Sequence, residues 1–538
     1  MDEFDYIVIG GGSAGCAVAG RLSEDPNISV CLLEMGGPDT SVLVRAPLGF
    51  AAGAPVGLNT ARYESVPQLG LGGRRSFQPR GKVMGGSSSI NAMVYIRGNR
   101  ADYDQWAALG NSGWDYESVL PYFKRSENSE GVADTQFRGH GGPLNVCYLR
   151  SPSLVNEAFL KACEANGVTR NEDPNGATQD GCWHAQVTQI NGERCNAARA
   201  YITPHMGRAN LKVITGAMVS RIAIQDKRAV SVEFSVQGEK RCINSRKEII
   251  LSAGAYGSPQ LLMLSGVGNA GDLRPMGIPV VHDLPGVGQN LQDHVNTTII
   301  WRTTNTVATL GISLSGVSQI VKGIFEWRGK RTGLLSSNAA ESGAFIRSSL
   351  DQSVPDIELQ LVRGIVDDHN RKTHLGHGYS LHVTLVRPKS KGQVKLASTN
   401  PADGLQIDAR YFSHPDDMRA LIRGTQQAMK IMNASPLASL RGDLMFPLDA
   451  SNPKDIERQI QTYGDTEYHP CGTCKMGPNS DPGAVVDERL RVHGIAGLRV
   501  VDASIMPTIT AGNTNAPTIM IGEKAVDMIN QDWSSHAR

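Results

Sequence analysis

The chain lacks any run approaching the roughly 20 apolar residues that a membrane-spanning helix requires, although 40% of its 538 residues are hydrophobic. It lacks an excess of either charge: 53 Lys and Arg stand against 52 Asp and Glu, a formal net charge of +1. That balance excludes the basic footprint expected of a nucleic-acid-binding protein. Cysteines in a disulfide framework are missing as well. The nine present are scattered from Cys16 to Cys474, and the acidic start Met1-Asp2-Glu3-Phe4-Asp5-Tyr6 is no export signal. Reduced thiols in the cytoplasm are the expectation, with attachment to the inner membrane surface left open. Internal repeats and low-complexity tracts are absent too.

Length and glycine are what the chain has in quantity. So many residues exceed one ordinary core and imply two closely associated domains. The 59 glycines cluster where backbone must approach something closely. Tyr6-Ile7-Val8-Ile9 is a short apolar run suited to a buried parallel strand. A glycine turn follows, then a helix of small residues ending near Leu22, then the strand Val30 to Leu33 closed by Glu34. This is a βαβ unit. Residues 35–98, rich in Gly, Pro and Ser, read as an extended excursion. Glu248 to Ser252 is another apolar strand, with a helix over 258–264. Between about 303 and 460 the pattern changes: 357–362 and 379–385 have mixed or alternating polarity, which predicts antiparallel strands with one polar face. The last segment returns to the first pattern, with a strand at 498–501 and a helix over 516–530.

The expected fold is therefore α/β in its first part and α+β overall. A Rossmann-like nucleotide-binding domain takes 1–150, 208–302 and 461–538, and a discontinuous antiparallel-sheet substrate domain takes 151–207 and 303–460. Gly10, Gly12 and Gly15 form G-x-G-x-x-G directly after a strand and at a helix start, where Ser13 and Ala14 offer backbone N–H groups to a pyrophosphate. Glu34 lies about 20 residues on, where an acid binds ribose hydroxyls. Residues 266–271 repeat the pattern but follow a helical segment, so they read as a helix-terminating loop. One good fingerprint favours a single tightly bound flavin dinucleotide over flavin plus a nicotinamide.

Two further segments make the identification specific. Residues 81–91, Gly-Lys-Val-Met-Gly-Gly-Ser-Ser-Ser-Ile-Asn, and residues 254–268, Gly-Ala-Tyr-Gly-Ser-Pro-Gln-Leu-Leu-Met-Leu-Ser-Gly-Val-Gly, resemble the two signatures of the glucose-methanol-choline (GMC) oxidoreductase family. The segments 468–477, 501–504 and 512–515 complete the resemblance, which spans the whole chain in the family's order. Members nearest in pattern are bacterial dehydrogenases of aliphatic alcohols and polyethylene glycol, with choline dehydrogenases next. The resemblance implies FAD, held by the fingerprint and by Gly85, Gly86, Ser87, Asn91, Ala92, Met93, Val94, Val219, Asp502, Ala503, Asn513 and Asn515. Met84 and Ile90 depart from the signature. Met84 is a volume-conserving change, and Ile90 cannot make the histidyl link to flavin found in some choline oxidases, so FAD is expected to be non-covalent.

The resemblance also implies the chemistry. His469 falls on the family's base and takes the hydroxyl proton, a task suited to a side chain that titrates near neutrality. Asn513 orients the alkoxide while hydride passes to flavin N5. Asn515 is expected to cap the final helix, with Pro517 in its first turn. Cys471 and Cys474 overlap the family's own pattern, so neither a redox pair nor a metal site is expected; Glu341 reads as an ordinary sheet residue. The expected reaction takes primary aliphatic or polyether alcohols to aldehydes, with electrons passing to a quinone or another non-oxygen acceptor. An oxidase that uses O2 and releases H2O2 is the first alternative, and an FAD-containing hydroxynitrile lyase the second.

Overall fold

In the computed structural model, which describes residues 2–53 and 56–536, two large sheets meet around one cavity. An apolar run has no face to give to water, so it takes an interior place in a parallel ladder. Glu3–Ile9 pairs in parallel with Val30–Glu34 on one side and Glu239–Leu251 on the other. Leu211–Thr215 and Leu498–Val500 extend the parallel part, and Arg228–Val236 and Ala217–Gln225 add an antiparallel meander. The helix Ser13–Leu22 packs against the C-terminal helix Asn515–His536 so closely that a Cβ on Gly522 would meet Ala14 O at 2.9 Å.

The second sheet runs Asp465–Thr466, Val295–Thr303, Gly376–Leu385, Ile357–Val362, Ala340–Ile346 and Gly181–His184, antiparallel throughout. Helices Leu154–Ala165, Pro415–Met432 and Pro453–Tyr463 cover its apolar face. The other face carries Asn296, Glu358, Gln360, Ser380, His382 and Thr384. On this polar face Glu358, Ser380 and Thr384 are buried, and Gln360 and His382 line the cavity. Alternation reports two chemically different faces and does not say that one of them is wet. Val295–Thr303 and Asp465–Thr466, grouped with the nucleotide-binding segments by composition, hydrogen-bond into this second sheet. Register, not composition, assigns a strand to a sheet.

The 35–98 excursion contains more structure than its composition suggests. Thr60–Glu64 and Phe77–Gly81 form a hairpin, and Val42–Arg45 and Gly49–Gly53 are short helices. Strands carrying Arg62, Pro79 and Arg80 give no alternation to read. Residues 266–271 do follow a helix, Gly254–Leu264, and none of them lines the cavity.

Candidate active site

Gly10 turns the chain at φ +103°, and a Cβ there would lie 2.4 Å from Ser252 O. Gly15 is tighter still, its Cβ position 1.9 Å from Gly10 O. Gly12 is different: nothing lies within 4 Å of its Cβ position, and it borders the cavity with Ser13 and Ala14. The helix that starts at Ser13 has no side-chain cap, which leaves its first N–H groups and positive dipole end for an anion. Glu34 accepts Gly11 N–H at 2.8 Å and Gly36 N–H at 2.7 Å. Burial raises its carboxyl to about 7, with those two backbone bonds opposing. The carboxyl lines the same cavity, and its remaining lone pairs suit a vicinal diol.

The cavity, of about 1280 Å³, also takes in Gly86, Ser87, Asn91, Ala92, Met93, Val94, Val219, Asp502, Ala503, Asn513 and Asn515. Of the residues expected to hold FAD or carry the chemistry, Gly15 and Gly85 alone do not border it. Gly85 sits behind the wall at φ +85°, its N–H bonded to Gly11 O at 2.7 Å. Gly86 presses on Gly12, with a Cβ position 2.7 Å from Gly12 Cα, so the two glycine segments form one seam. Met93 holds φ +61°, an uncommon state for a side chain of that kind, and Asn91 Oδ1 accepts its N–H at 3.1 Å. Asp502 Oδ2 accepts Gly254 N–H at 2.9 Å and Ser258 Oγ at 2.6 Å. That anchor starts the Gly254–Leu264 helix earlier than the expected 258. Asn515 is the first helical residue and not the cap: its Oδ1 accepts Ser13 Oγ at 2.7 Å, tying the two helices together at the cavity.

His469 and Asn513 also border the cavity. Asp293 Oδ1 accepts His469 N–H at 2.9 Å, and Gln292 and Cys471 bridge their two segments. His469 Nδ1 lies 3.0 Å from His294 Nδ1, and Asn513 Nδ2 lies 3.3 Å from His469 Nε2. The tautomers follow from these partners. His294 Nε2 lies 3.2 Å from a carbonyl, Val386 O, and so carries a proton. Burial, with His469 and Arg387 nearby, pushes His294 well below the usual histidine range, so it is neutral and its Nδ1 is an acceptor. His469 Nδ1 must then donate, and His469 Nε2 keeps a lone pair that accepts from Asn513 Nδ2. Burial also pushes His469 down to about 4, the Glu467 carboxylate opposing. The buried Asn513 Oδ1 has no hydrogen-bond partner among the described residues. An unpaired acceptor at a cavity wall is costly unless something that enters supplies a donor.

Sequence reasoning missed Asp293 and His294. Their signal was the Asp-His pair just ahead of an apolar strand, unremarkable among 13 histidines. It also missed Glu467, which accepts His382 Nδ1 at 2.8 Å and bonds Asn296. Arg80 donates to Tyr468 O at 2.6 Å and braces the base's own segment. Cys471 and Cys474 are buried free thiols, and burial raises both well above the usual range. Such thiols are inert, and the pair lies in a backbone seam. Glu341 is fully engaged by Ser153 N–H, Asn156, Ser337 and Arg363 inside the second sheet.

Comparison with known proteins agrees with this arrangement. Family models described as GMC oxidoreductase match residues 4–296 and 388–522. An alcohol dehydrogenase [acceptor] of Pseudomonas putida is 41% identical over 98% of this chain and 95% of its own length. The mitochondrial choline dehydrogenase of Homo sapiens is 42% identical over 98% of this chain and 90% of its own length. Among solved structures, an FAD-dependent oxidoreductase from Chaetomium thermophilum superposes with TM-score 0.89 at 28% identity, covering 99% of this chain and 100% of that one. No helix among the described residues is long and apolar enough to cross a membrane. A strand–glycine-turn–helix fingerprint, a paired histidine and asparagine across one cavity, and family models spanning both sheets identify the chain as a member of the GMC oxidoreductase family, an FAD-dependent oxidoreductase.

Proposed function

We propose that this chain oxidises primary alcohols, aliphatic or polyether, to aldehydes and passes the electrons to a quinone or another acceptor than oxygen. The observation that carries this reading is the unprotonated His469 Nε2, fixed by its neighbours and paired with the Asn513 amide where both residues border the cavity. An alcohol placed there gives its hydroxyl proton to His469 Nε2. Asn513 then has an amide N–H to donate to the alkoxide oxygen, holding it in place. FAD, when bound, supplies the oxidant that takes the two electrons and hydrogen leaving the carbinol carbon. Gly10, Gly12, Ser13 and Ala14 would receive its pyrophosphate and Glu34 its ribose, with Gly15 and Gly85 shaping the turn behind them. Gly86, Ser87 and residues 91–94, Val219, Asp502, Ala503 and Asn515 would line its length. Ile90 borders the cavity where a histidyl link would need a histidine, which supports non-covalent binding. A neutral substrate suits the site because Glu467, the carboxylate beside the base, is already held by His382 and Asn296. A quaternary ammonium would have to compete with them.

Anaerobic mixing of the holoenzyme with a panel of primary alcohols tests this. Bleaching of the flavin absorbance is expected. No bleaching with any alcohol sinks the redox reading in favour of lyase chemistry, and stoichiometric peroxide in air moves the acceptor to O2.

His294 is a positioning residue in this scheme, and its removal has a defined signature. His294→Leu leaves the His469 Nδ1 proton without an acceptor and frees the ring to change tautomer. We expect the limiting rate of flavin bleaching to fall about 10–100-fold, in line with lost supporting hydrogen bonds elsewhere, with KM little changed. His294→Asn, which keeps an acceptor, restores most of it. The lowered His469 value also sets the pH profile. Protonation of a buried base is disfavoured, so kcat/KM holds steady from neutral pH downward and is lost only as pH falls through about 4. A limb near 6.5, or equal rates for the Leu and Asn variants, contradicts the assignment.

A further inference from the structure

The helix Leu314–Lys330 presents an apolar face to the outside. It touches the protein along a narrow side, through Gly316, Gly323 and Trp327, whose indole N–H donates to Gly192 O at 2.8 Å. A Cβ on Gly323 would lie 2.9 Å from Leu335 Cδ1, so the helix backbone packs directly on the 334–335 segment there. At about 100° per residue, Leu314, Val317, Val321, Ile324 and Phe325 fall in one stripe about 100° wide. That stripe points away from the core: Leu314 is 93% exposed, Phe325 73% and Val317 58%. Exposed apolar side chains continue beside it, with Ile312 and Leu375 bridged to one another, and Val42 and Leu43 in a segment tied by Leu48 N–H to Leu335 O. Single exposed apolar residues need no explanation, but a contiguous patch marks an interaction surface.

Charge and position identify its partner. The helix carries Lys322, Arg328 and Lys330 against Glu326 alone, and exposed Arg45 and Lys372 flank the neighbouring segments. In a chain of formal net charge +1, this is a local excess of cationic side chains on and beside an apolar face. An amphipathic helix of that kind lies in the interface of an anionic bilayer, its apolar face among the acyl chains and its basic residues at the headgroups. The face is also continuous with the active-site cavity, since Val42, Leu43, Ile312, Ile320, Ile324 and Arg328 line both.

We infer that this face docks the enzyme on an anionic lipid surface with the cavity mouth against the bilayer, so that lipid-dissolved molecules reach the site without crossing water. The inference rests on the exposed face and not on the alcohol chemistry, so its failure leaves that chemistry standing.

Flotation of the holoenzyme with vesicles of phosphatidylglycerol and phosphatidylcholine tests it. The enzyme is expected to float with these vesicles and less with phosphatidylcholine alone. The triple variant Leu314→Ser, Val317→Ser, Phe325→Ser replaces no residue that lines the cavity. It should float at least about tenfold less while oxidising a water-soluble alcohol with a soluble dye acceptor at the wild-type rate. Lys322→Glu with Lys330→Glu, a second variant that leaves the apolar stripe intact, should weaken binding to anionic vesicles selectively. The inference is overturned if the wild type stays out of the vesicle fraction, or if the triple variant floats equally well. It is also overturned if the wild type is a dimer that this variant converts to monomers, which would assign the face to a second copy of the chain.

Discussion

His469→Ala should lower the rate of flavin bleaching by alcohols by about 10²–10⁴-fold, the usual worth of a positioned general base. The size follows from the chemistry. An alcohol holds its proton far more tightly than imidazolium does, so the base must take that proton as the hydrogen leaves the carbinol carbon. No other group in the described site is placed to replace His469. Asn513 has no basicity at neutral pH, Glu467 is engaged by His382 and Asn296, and His294 presents its one lone pair to His469 itself. FAD content should be unchanged, because the polar contacts of His469 run to Asp293, His294 and Asn513 and not to the glycine turn. Stopped-flow bleaching of the purified variant under anaerobic conditions is the measurement. An undiminished rate means that another group takes the proton.

Much of this was legible in the residues. A strand, a glycine turn and a helix of small residues can hardly be read otherwise, because the apolar run, the absent side chains and the helix start all constrain the same short segment. The polar faces of 357–362 and 379–385 were legible as alternation, but their surroundings were not. A buried polar face over a cavity and a wet one share the same period, and only the covering elements distinguish them. His469 was visible because its neighbours form a recognisable string. His294 was not, because its role comes from meeting His469, 175 positions away in sequence. The cap expected of Asn515 failed for a related reason: its local preference gave way to Ser13, 502 positions away in sequence. Local chemistry reads off a sequence; partnerships made by the fold do not.

Gly12→Ala and Gly15→Ala should fail in opposite ways, though both belong to one fingerprint. Gly15 is enclosed by protein. Its Cβ position lies 1.9 Å from Gly10 O and 3.2 Å from Ser252 Cβ, and the first of these is backbone that cannot rotate away. Gly10 cannot retreat either, because it is held at φ +103° with Ser252 O beyond it. Forcing a methyl group into such a contact costs about 3 kcal/mol or more, at the upper end for overpacking. Gly15→Ala should therefore lower the melting temperature of the apoprotein as well as its FAD content. Gly12 has φ −83°, which alanine adopts freely, and no protein atom within 4 Å of its Cβ position. Gly12→Ala should leave the apoprotein's melting temperature unchanged. The methyl group then stands in the space where the pyrophosphate would approach the uncapped helix start, and FAD should bind at least about tenfold more weakly, about 1.4 kcal/mol. Thermal melts of the two apoproteins, set beside FAD titrations followed by flavin fluorescence, separate these outcomes. Wild-type FAD affinity in Gly12→Ala would show that the dinucleotide does not cross this turn, whatever its sequence suggests.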